Sequence, residues 1–118
     1  MQSNRDLRER TKQLALRVIR LYRMLPPGEE ARILGKLLRS GTSVGANYRA
    51  ACRARSKAEF IAKLGIVLEE ADETVFWLEL LIEAGIGNAE RVQPLLKEAD
   101  ELTSIFVSSL CTAKQIAP

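Results

Sequence analysis

The chain has 118 residues, 47% hydrophobic and 28% charged, so it is long enough for one domain with an ordinary core and too apolar for a disordered polypeptide. It contains no histidine, the commonest general base and a frequent metal ligand, and we expect no enzyme, no cofactor and no metal site. No stretch of about 20 apolar residues resembles a membrane span or a signal peptide. We therefore expect a cytoplasmic protein without a membrane partner.

Charged residues are unevenly distributed along the chain. Residues 1–57 hold fourteen of the eighteen Lys and Arg but only four of the fifteen Asp and Glu. The net charge of +3 is therefore a small difference between a basic first half and an acidic second half. This pattern predicts a basic surface beside an acidic one, suited to binding a polyanion, to self-association, or to both.

The first two predicted helices cover about residues 4–25 and 29–54. Apolar residues at three-, four- and seven-residue spacings mark both segments. Pro26 and Pro27 end the first helix, because proline has no amide hydrogen and restricts the residue before it.

The third and fourth predicted helices cover about residues 57–84 and 89–114. Ser56 and Glu59 form a predicted capping box, in which the hydroxyl accepts from the Glu59 amide and the carboxylate accepts from the Ser56 amide. Gly85 suits a left-handed C-cap. Pro94 leaves two alternatives, because it either begins the main helix after a short turn capped by Asn88 or kinks the first turn.

Four amphipathic helices with short connections predict an all-α fold. The natural architecture is a single domain over residues 1–118, folded as an antiparallel up-down-up-down four-helix bundle.

Small residues are concentrated in the middle of the second helix. Gly41 and Gly45 each cost about 1 kcal/mol relative to alanine in a helix interior, and some interaction must offset that cost. Close approach of a neighbouring helix is the simpler explanation, and a groove for a ligand or partner is the alternative. A phosphate-binding loop is not expected, because no Lys-Ser/Thr follows and no strand precedes.

Carboxylates and a tryptophan share one stripe of the third helix. Glu70, Glu73 and Trp77 lie three and four residues apart. A dimetal site is not favoured, because such sites use histidine, and a solvated acidic face is an alternative. We favour a structural role in which Glu70 and Glu73 pair with Arg39 or Arg49 while Trp77 packs alongside.

Basic residues of the first two helices are the candidate contacts to nucleic acid. Arginine predominates, and its planar guanidinium suits phosphate. Basic residues do not alternate with aromatic ones, so we expect salt-sensitive binding to backbone phosphate rather than reading of bases. A merely solvated basic face is the alternative. The candidate residues are Arg5, Arg8, Arg10, Lys12, Arg17, Arg20, Arg49, Arg53 and Arg55.

Three segments resemble a known family. RSGTSVGANYR at residues 39–49, RARSKAEF at 53–60 and KLGIVLEEADETVFWLELL at 63–81 are similar to the four helix bundle protein family. That family includes proteins encoded within intervening sequences of bacterial 23S rRNA genes, and it is akin to the accessory variability proteins of diversity-generating retroelements. The resemblance implies an antiparallel bundle, a homopentamer and no known catalytic activity. For the retroelement branch it implies nucleic-acid binding and a reverse-transcriptase-like partner.

The family pattern falls on two helices of this chain. It covers Arg39, Ser43, Ala46, Asn47 and Tyr48, then Lys63, Glu70, Glu73, Trp77 and Leu78. With the glycines, the structural motif we expect is Arg39, Gly41, Ser43, Gly45, Asn47, Tyr48, Glu70, Glu73 and Trp77. The chain departs from the pattern at Ala50 and Cys52, which leaves the end of the second helix more basic than in relatives.

These observations predict a non-enzymatic homo-oligomer, a pentamer by the resemblance, that binds the phosphate backbone of RNA or DNA as an accessory factor. The alternative is a protein-protein interaction scaffold with no role in nucleic-acid binding, whose basic half contacts its own acidic half.

Overall fold

The computed structural model describes residues 4–28 and 30–115, without the side chains of Asn4, Arg5 and Ala31. Four helices account for most of this part: α1 (Asn4–Met24), α2 (Ala31–Cys52), α3 (Lys57–Glu83) and α4 (Ala89–Lys114). The described residues include no strand. The all-α class predicted from the sequence is therefore confirmed.

Each helix packs against the next one along the chain. α1 also contacts α4, although this contact is much sparser than the other three. The core fills the space between the helices and is mainly aliphatic, with Tyr48 and Phe106 as its buried aromatic residues. Their ring centroids lie 5.6 Å apart, which joins α2 to α4.

The predicted bounds of α4 and the predicted starts of α1 and α3 are confirmed, and the C-terminal ends of α1, α2 and α3 differ from the predictions by one or two residues. α1 stops at Met24 rather than Leu25, because the Leu25 amide bonds to the Tyr22 carbonyl in a tighter turn before Pro26. α2 stops at Cys52 rather than residue 54, because the Arg53 and Ala54 amides form the same kind of tighter turn. α3 ends at Glu83, one residue early. The predicted start of the second helix at Glu29 lies outside the described residues, and α2 begins at Ala31.

Side chains cap the N-termini of α3 and α4. The Ser56 hydroxyl accepts from the Glu59 amide at 3.0 Å, as the capping box predicts. The predicted reciprocal hydrogen bond of the capping box was wrong, because the Glu59 carboxylate accepts from the Arg55 amide at 3.2 Å instead of the Ser56 amide. Asn88 caps α4 by accepting from the Glu90 amide, and the helix continues through Pro94. Gly85 has a φ of +70°, the left-handed conformation expected after α3.

Two glycines of α2 allow α1 to approach closely. A Cβ atom added to Gly41 would lie 2.7 Å from Cγ2 of Val18, closer than non-bonded carbons tolerate. A Cβ added to Gly45 would lie 3.2 Å from the carbonyl oxygen of Thr11. These distances confirm that a neighbouring helix packs on the small residues of α2, and the buried contact offsets the low helix propensity of glycine.

Candidate nucleic-acid interface

Basic side chains of α1 and α2 meet in a cleft on the surface. The cleft has a volume of about 580 Å³. Arg49 lies in the last turn of α2, and Arg53, four residues later, is the C-cap residue directly after the helix. The first turns of α1 supply the opposite wall. The residues lining the cleft are Asp6, Arg8, Glu9, Lys12, Arg49 and Arg53.

A second cleft adjoins the first along the end of α2. It has a volume of about 460 Å³ and shares Arg49 and Arg53 with the first. Arg55 and Glu59 extend it into the turn before α3. The two clefts form one continuous surface, which we call the basic strip, made by Arg8, Lys12, Arg49, Arg53 and Arg55.

Three carboxylates accompany the five cations of the basic strip. Glu59 is engaged locally, since its carboxylate accepts from the Arg55 amide. Asp6 lies in the first turn of α1, where a negative charge also stabilises the positive end of the helix dipole. Glu9 is the third carboxylate and lines the first cleft. The five cations of the strip therefore still outnumber the three carboxylates. The strip therefore favours an anionic ligand, and neither cleft is lined by an aromatic side chain on which a base could stack.

Arg10 lies elsewhere and faces α4. Its guanidinium forms a bidentate pair with Glu98, with N···O distances of 2.6 and 3.1 Å, and bonds to Glu101 at 3.0 Å. The hydrogen bond to Glu98 raises the pKa of Arg10 further above its ordinary value. This guanidinium is already neutralised within the bundle, so we leave Arg10 out of the basic strip.

The remaining predicted contacts are dispersed. Arg17 follows Arg10 by seven residues and so lies on the same side of α1, away from Arg49. Arg20 is exposed beyond the cleft. Arg5 belongs to α1, but its side chain is outside the described part of the chain.

A second charged cluster joins α2 to α3. Arg39 binds both oxygens of Glu73 at 2.8 and 2.9 Å and Glu70 at 3.2 Å. The indole of Trp77 donates to Glu73 at 3.1 Å, and the ammonium group of Lys36 lies 5.7 Å from the centroid of the Trp77 ring. Of the two arginines considered for this pairing, the structure places Arg39 here, whereas Arg49 lies in the basic strip.

Contacts within this cluster favour the ionised forms of Arg39 and Glu73. Burial raises the pKa of Glu73, but hydrogen bonds from Trp77 and Arg39 outweigh it and hold that pKa below its ordinary value. The hydrogen bond to Glu73 likewise raises the pKa of Arg39. One oxygen of Glu70, Oε2, is buried without a hydrogen-bond partner. The cluster therefore joins α2 to α3.

The other motif residues serve the helix and the core. The Ser43 hydroxyl donates to the Arg39 carbonyl at 2.6 Å, and the Asn47 amide donates to the Ser43 carbonyl at 2.9 Å. Tyr48 is buried, and burial raises the pKa of its phenol.

Sequence reasoning missed Glu98 and Glu101 as partners of Arg10. A signal for them exists, because Glu98 and Glu101 have the same three-residue spacing as Glu70 and Glu73. In both helices the two glutamates bind one arginine of a neighbouring helix. The spacing is recognisable in the sequence, but the choice of arginine is not.

A more apolar cavity of about 750 Å³ opens near the same end of the molecule as the basic strip. Leu7, Tyr48, Phe60, Leu64 and Ile105 contribute apolar surface to it, and hydroxyl groups of α4 contribute polar surface. Within the residues described, no group of three or more Cys, Asp or Glu side chains is arranged to hold a metal ion. None of the described helices is long and apolar enough to cross a membrane.

The fold and the site define a small four-helix protein with a basic strip and structural charge clusters. The chain belongs to the family of 23S rRNA-intervening sequence proteins, whose family model matches residues 4–108. It is also similar to a crystal structure from Bacteroides thetaiotaomicron, a protein with unknown function from the S23 ribosomal protein family. That similarity has 35% identity and a TM-score of 0.81 over 91% of this chain and 96% of the other. A search of curated proteins finds no match. Neither family description names an enzyme.

Proposed function

We propose that this protein is a non-enzymatic, cytoplasmic homo-oligomer that binds the phosphate backbone of RNA or DNA through the basic strip. The observation that carries the proposal is the convergence of Arg8, Lys12, Arg49, Arg53 and Arg55 from two helices and a turn on one surface. Residues that are distant in the sequence provide this surface together.

The chemistry of the basic strip suits phosphate. Four of its five cations are arginines, whose planar guanidinium groups bind phosphate oxygens through paired hydrogen bonds. Backbone contacts carry no sequence information, and the absence of aromatic residues from the lining of both clefts argues against stacking on bases. The expected ligand is therefore a structured nucleic acid recognised by charge and shape.

We further propose that the helices run up-down-up-down within each copy. Two pairs of contacts support this arrangement. Along α1, Thr11 and then Val18 approach Gly45 and then Gly41, so that the order in α2 is reversed. In α4 the order is reversed as well, because Arg10 pairs with Glu98 whereas Met24 contacts Arg91.

In this proposal, assembly raises the affinity of the basic strip for nucleic acid. One copy offers only a few phosphate contacts, and several copies held together, five by the family resemblance, raise the effective concentration of those contacts. No described feature of the surface selects a reverse-transcriptase-like partner, so the proposal does not include one.

The test is a titration of fluorescently labelled, structured RNA at rising salt, read by anisotropy. Five cations per copy predict that the logarithm of the binding constant falls with the logarithm of salt, with a slope of about −3.5 to −4.5 for each bound copy. Arg49→Glu and Arg53→Glu should each weaken binding and reduce the slope by about 1. Arg32→Glu is the matched control, because this exposed residue near the start of α2 undergoes the same charge reversal far from the strip.

Three results would contradict the proposal. The first is no binding by the wild type at low salt, the second is a slope near zero, and the third is an equal loss of affinity in Arg32→Glu and Arg49→Glu. If RNA never binds and the assembly dissociates at high salt, the interaction scaffold becomes the better interpretation.

A further inference from the structure

The side of α3 that faces away from the bundle is apolar in part. Its exposed residues recur every three or four positions and so form one line along the helix. Phe76 is 51% exposed and Ile66 is 39% exposed, whereas an ordinary solvent-facing side is polar. We call this line the α3 outer face, and it consists of Ala62, Ile66, Glu69, Asp72, Phe76, Glu79 and Glu83.

Phe76 is a large and well-supported apolar group. Its ring contacts the Trp77 ring edge to face, with centroids 5.0 Å apart. Trp77 is in turn fixed by its hydrogen bond to Glu73. A supported aromatic ring loses little conformational entropy on binding, so Phe76 has the properties of an interface anchor.

Carboxylates surround the apolar residues of the α3 outer face. Four of its seven residues are acidic, and the face contains no basic residue. A partner for this face therefore needs aliphatic side chains flanked by cations, because an interface combines an apolar centre with a complementary charged rim.

The outward side of α1 has those features. Leu16 and Ile19 are only half-buried, although α1 packs on α2 and α4. Arg20 and Arg23, both exposed, follow them within the next two turns. We call these four residues the α1 outer face. Among the described helices α1 and α3 do not contact each other, so the two faces lie on different sides of one copy.

We infer that the α3 outer face docks on the α1 outer face of a second copy of this chain. This inference rests on the homo-oligomer of the proposed function and assigns its interface. Such a contact joins two different surfaces, so each copy keeps one free face of each kind and can add further copies until a ring closes. Phe76 supplies the apolar centre against Leu16 and Ile19, Ile66 extends the apolar contact about 15 Å further along α3, and opposite charges fix the orientation.

Most of the basic strip lies apart from the docking faces, and only Lys12, one turn before Leu16 on the same side of α1, adjoins them. The strip uses the first turns of α1 and the end of α2, whereas the α1 outer face begins at Leu16. Assembly and nucleic-acid binding are therefore separable by mutation.

The first test is the molar mass in solution, measured by light scattering on the full chain at several concentrations. Phe76→Glu and Ile66→Glu should each shift the mass from oligomer towards monomer. Val107→Glu is the matched control, since this residue of α4 is 38% exposed and lies outside both faces. Circular dichroism must show that each variant keeps its helices, and whichever of Phe76→Glu and Ile66→Glu stays folded serves as the test.

The second test exchanges the charges of the two faces. One variant carries Glu69→Lys, Glu79→Lys and Glu83→Lys, and the other carries Arg20→Glu and Arg23→Glu. Each alone should be monomeric, because like charges then face each other between copies. An equimolar mixture should associate into assemblies of alternating variants with an even number of copies, because the basic α3 face of one variant meets the acidic α1 face of the other.

The outcomes separate this interface from the proposed function. A monomeric wild type would remove the homo-oligomer from the proposed function and this inference with it. An oligomeric wild type with an unchanged mass in Phe76→Glu and Ile66→Glu, an equal effect of Val107→Glu, or a mixture that stays monomeric would overturn the interface alone. Phe76→Glu is expected to keep the RNA affinity and salt slope of a single copy, measured by the same anisotropy titration in solution.

Discussion

α1 contacts its two neighbours in different ways. Against α2 the approach is close, since a Cβ atom on Gly41 would overlap Val18 and a Cβ atom on Gly45 would press against the Thr11 carbonyl. Against α4 the contact is sparse and includes long side chains, with Arg10 reaching Glu98 and Glu101. The first contact depends on volume and the second on charge.

The difference between the two contacts indicates how well each side of α1 tolerates substitution. Close-packed backbone cannot move away without losing many small van der Waals contacts, so an added methyl group is costly there. Flexible charged side chains adapt, and partly exposed ion pairs contribute little in water. Substitutions on α1 and its partners should therefore differ sharply in cost according to which neighbour they face.

The largest effect is expected from Gly41→Leu. The side chain would have to occupy the space of Val18, and overpacking of this kind should lower the free energy of unfolding by about 3 kcal/mol or more. Urea denaturation followed by circular dichroism measures it. An unchanged unfolding midpoint would disprove close packing of α1 on α2.

Gly45→Ala probes the same contact with a single methyl group. The gain in helix propensity, about 1 kcal/mol, is expected to be exceeded by the clash with the Thr11 carbonyl, leaving a net loss of about 1 kcal/mol. Gly35→Ala and Gly65→Ala are matched controls, because no atom lies within 4 Å of a Cβ at either position. Both controls should gain about 0.5 to 1 kcal/mol in urea unfolding. An equal gain in the free energy of unfolding for Gly45→Ala would show that α1 moves away from the added methyl group at little cost.

Arg10→Met tests the contact between α1 and α4. Methionine keeps part of the apolar stem of arginine and removes the charge. The substitution should therefore lower the free energy of unfolding by only about 0.5 to 1 kcal/mol at low salt. The loss should shrink at high salt because screening already weakens the pair in the wild type. Arg32→Met, at an exposed position near the start of α2, should change stability by less than about 0.5 kcal/mol in the same denaturation series. A loss at Arg10 as large as that in Gly41→Leu would abolish the distinction between the two contacts.

The smallest effect concerns pH and the contact between α2 and α3. The native pKa of Glu73 lies below the ordinary 4.5, so its ionised form stabilises the fold above that value, and the stabilisation is lost as the pH falls through the native pKa. Wild type should therefore exceed Glu73→Gln in melting temperature near pH 7, and the difference should shrink as the pH falls below 4.5. A difference that grows as the pH falls would contradict the assigned direction.

Much of the fold follows from local chemistry. Proline and glycine positions mark the connections, Ser56 marks the start of α3, and the glycines of α2 indicate a close neighbour. Buried hydroxyls are harder to foresee. Thr11 and Thr74 lie in the core because each donates to a carbonyl of its own helix, four residues earlier.

The candidate site was only partly predictable. The excess of cations in the first half is visible in the composition, and Arg49 and Arg53 share a side by their spacing. Nothing in the sequence distinguishes Arg10 from Arg8. Because the two residues are two positions apart, their side chains lie on different sides of α1, and only Arg10 faces Glu98 and Glu101 of α4. Likewise, Arg39 rather than Arg49 reaches Glu70 and Glu73, because these two arginines are ten residues apart on α2.

The order of the residues thus determined the helical class, the positions of the breaks and the total charge of each half, because propensity, capping and spacing act within a few residues of the chain. Which arginine is neutralised and which stays open to a ligand was decided only when the helices packed. Ion pairs across 31 to 91 residues depend on the rotation of each helix about its axis, and the burial of side chains from all four helices sets that rotation.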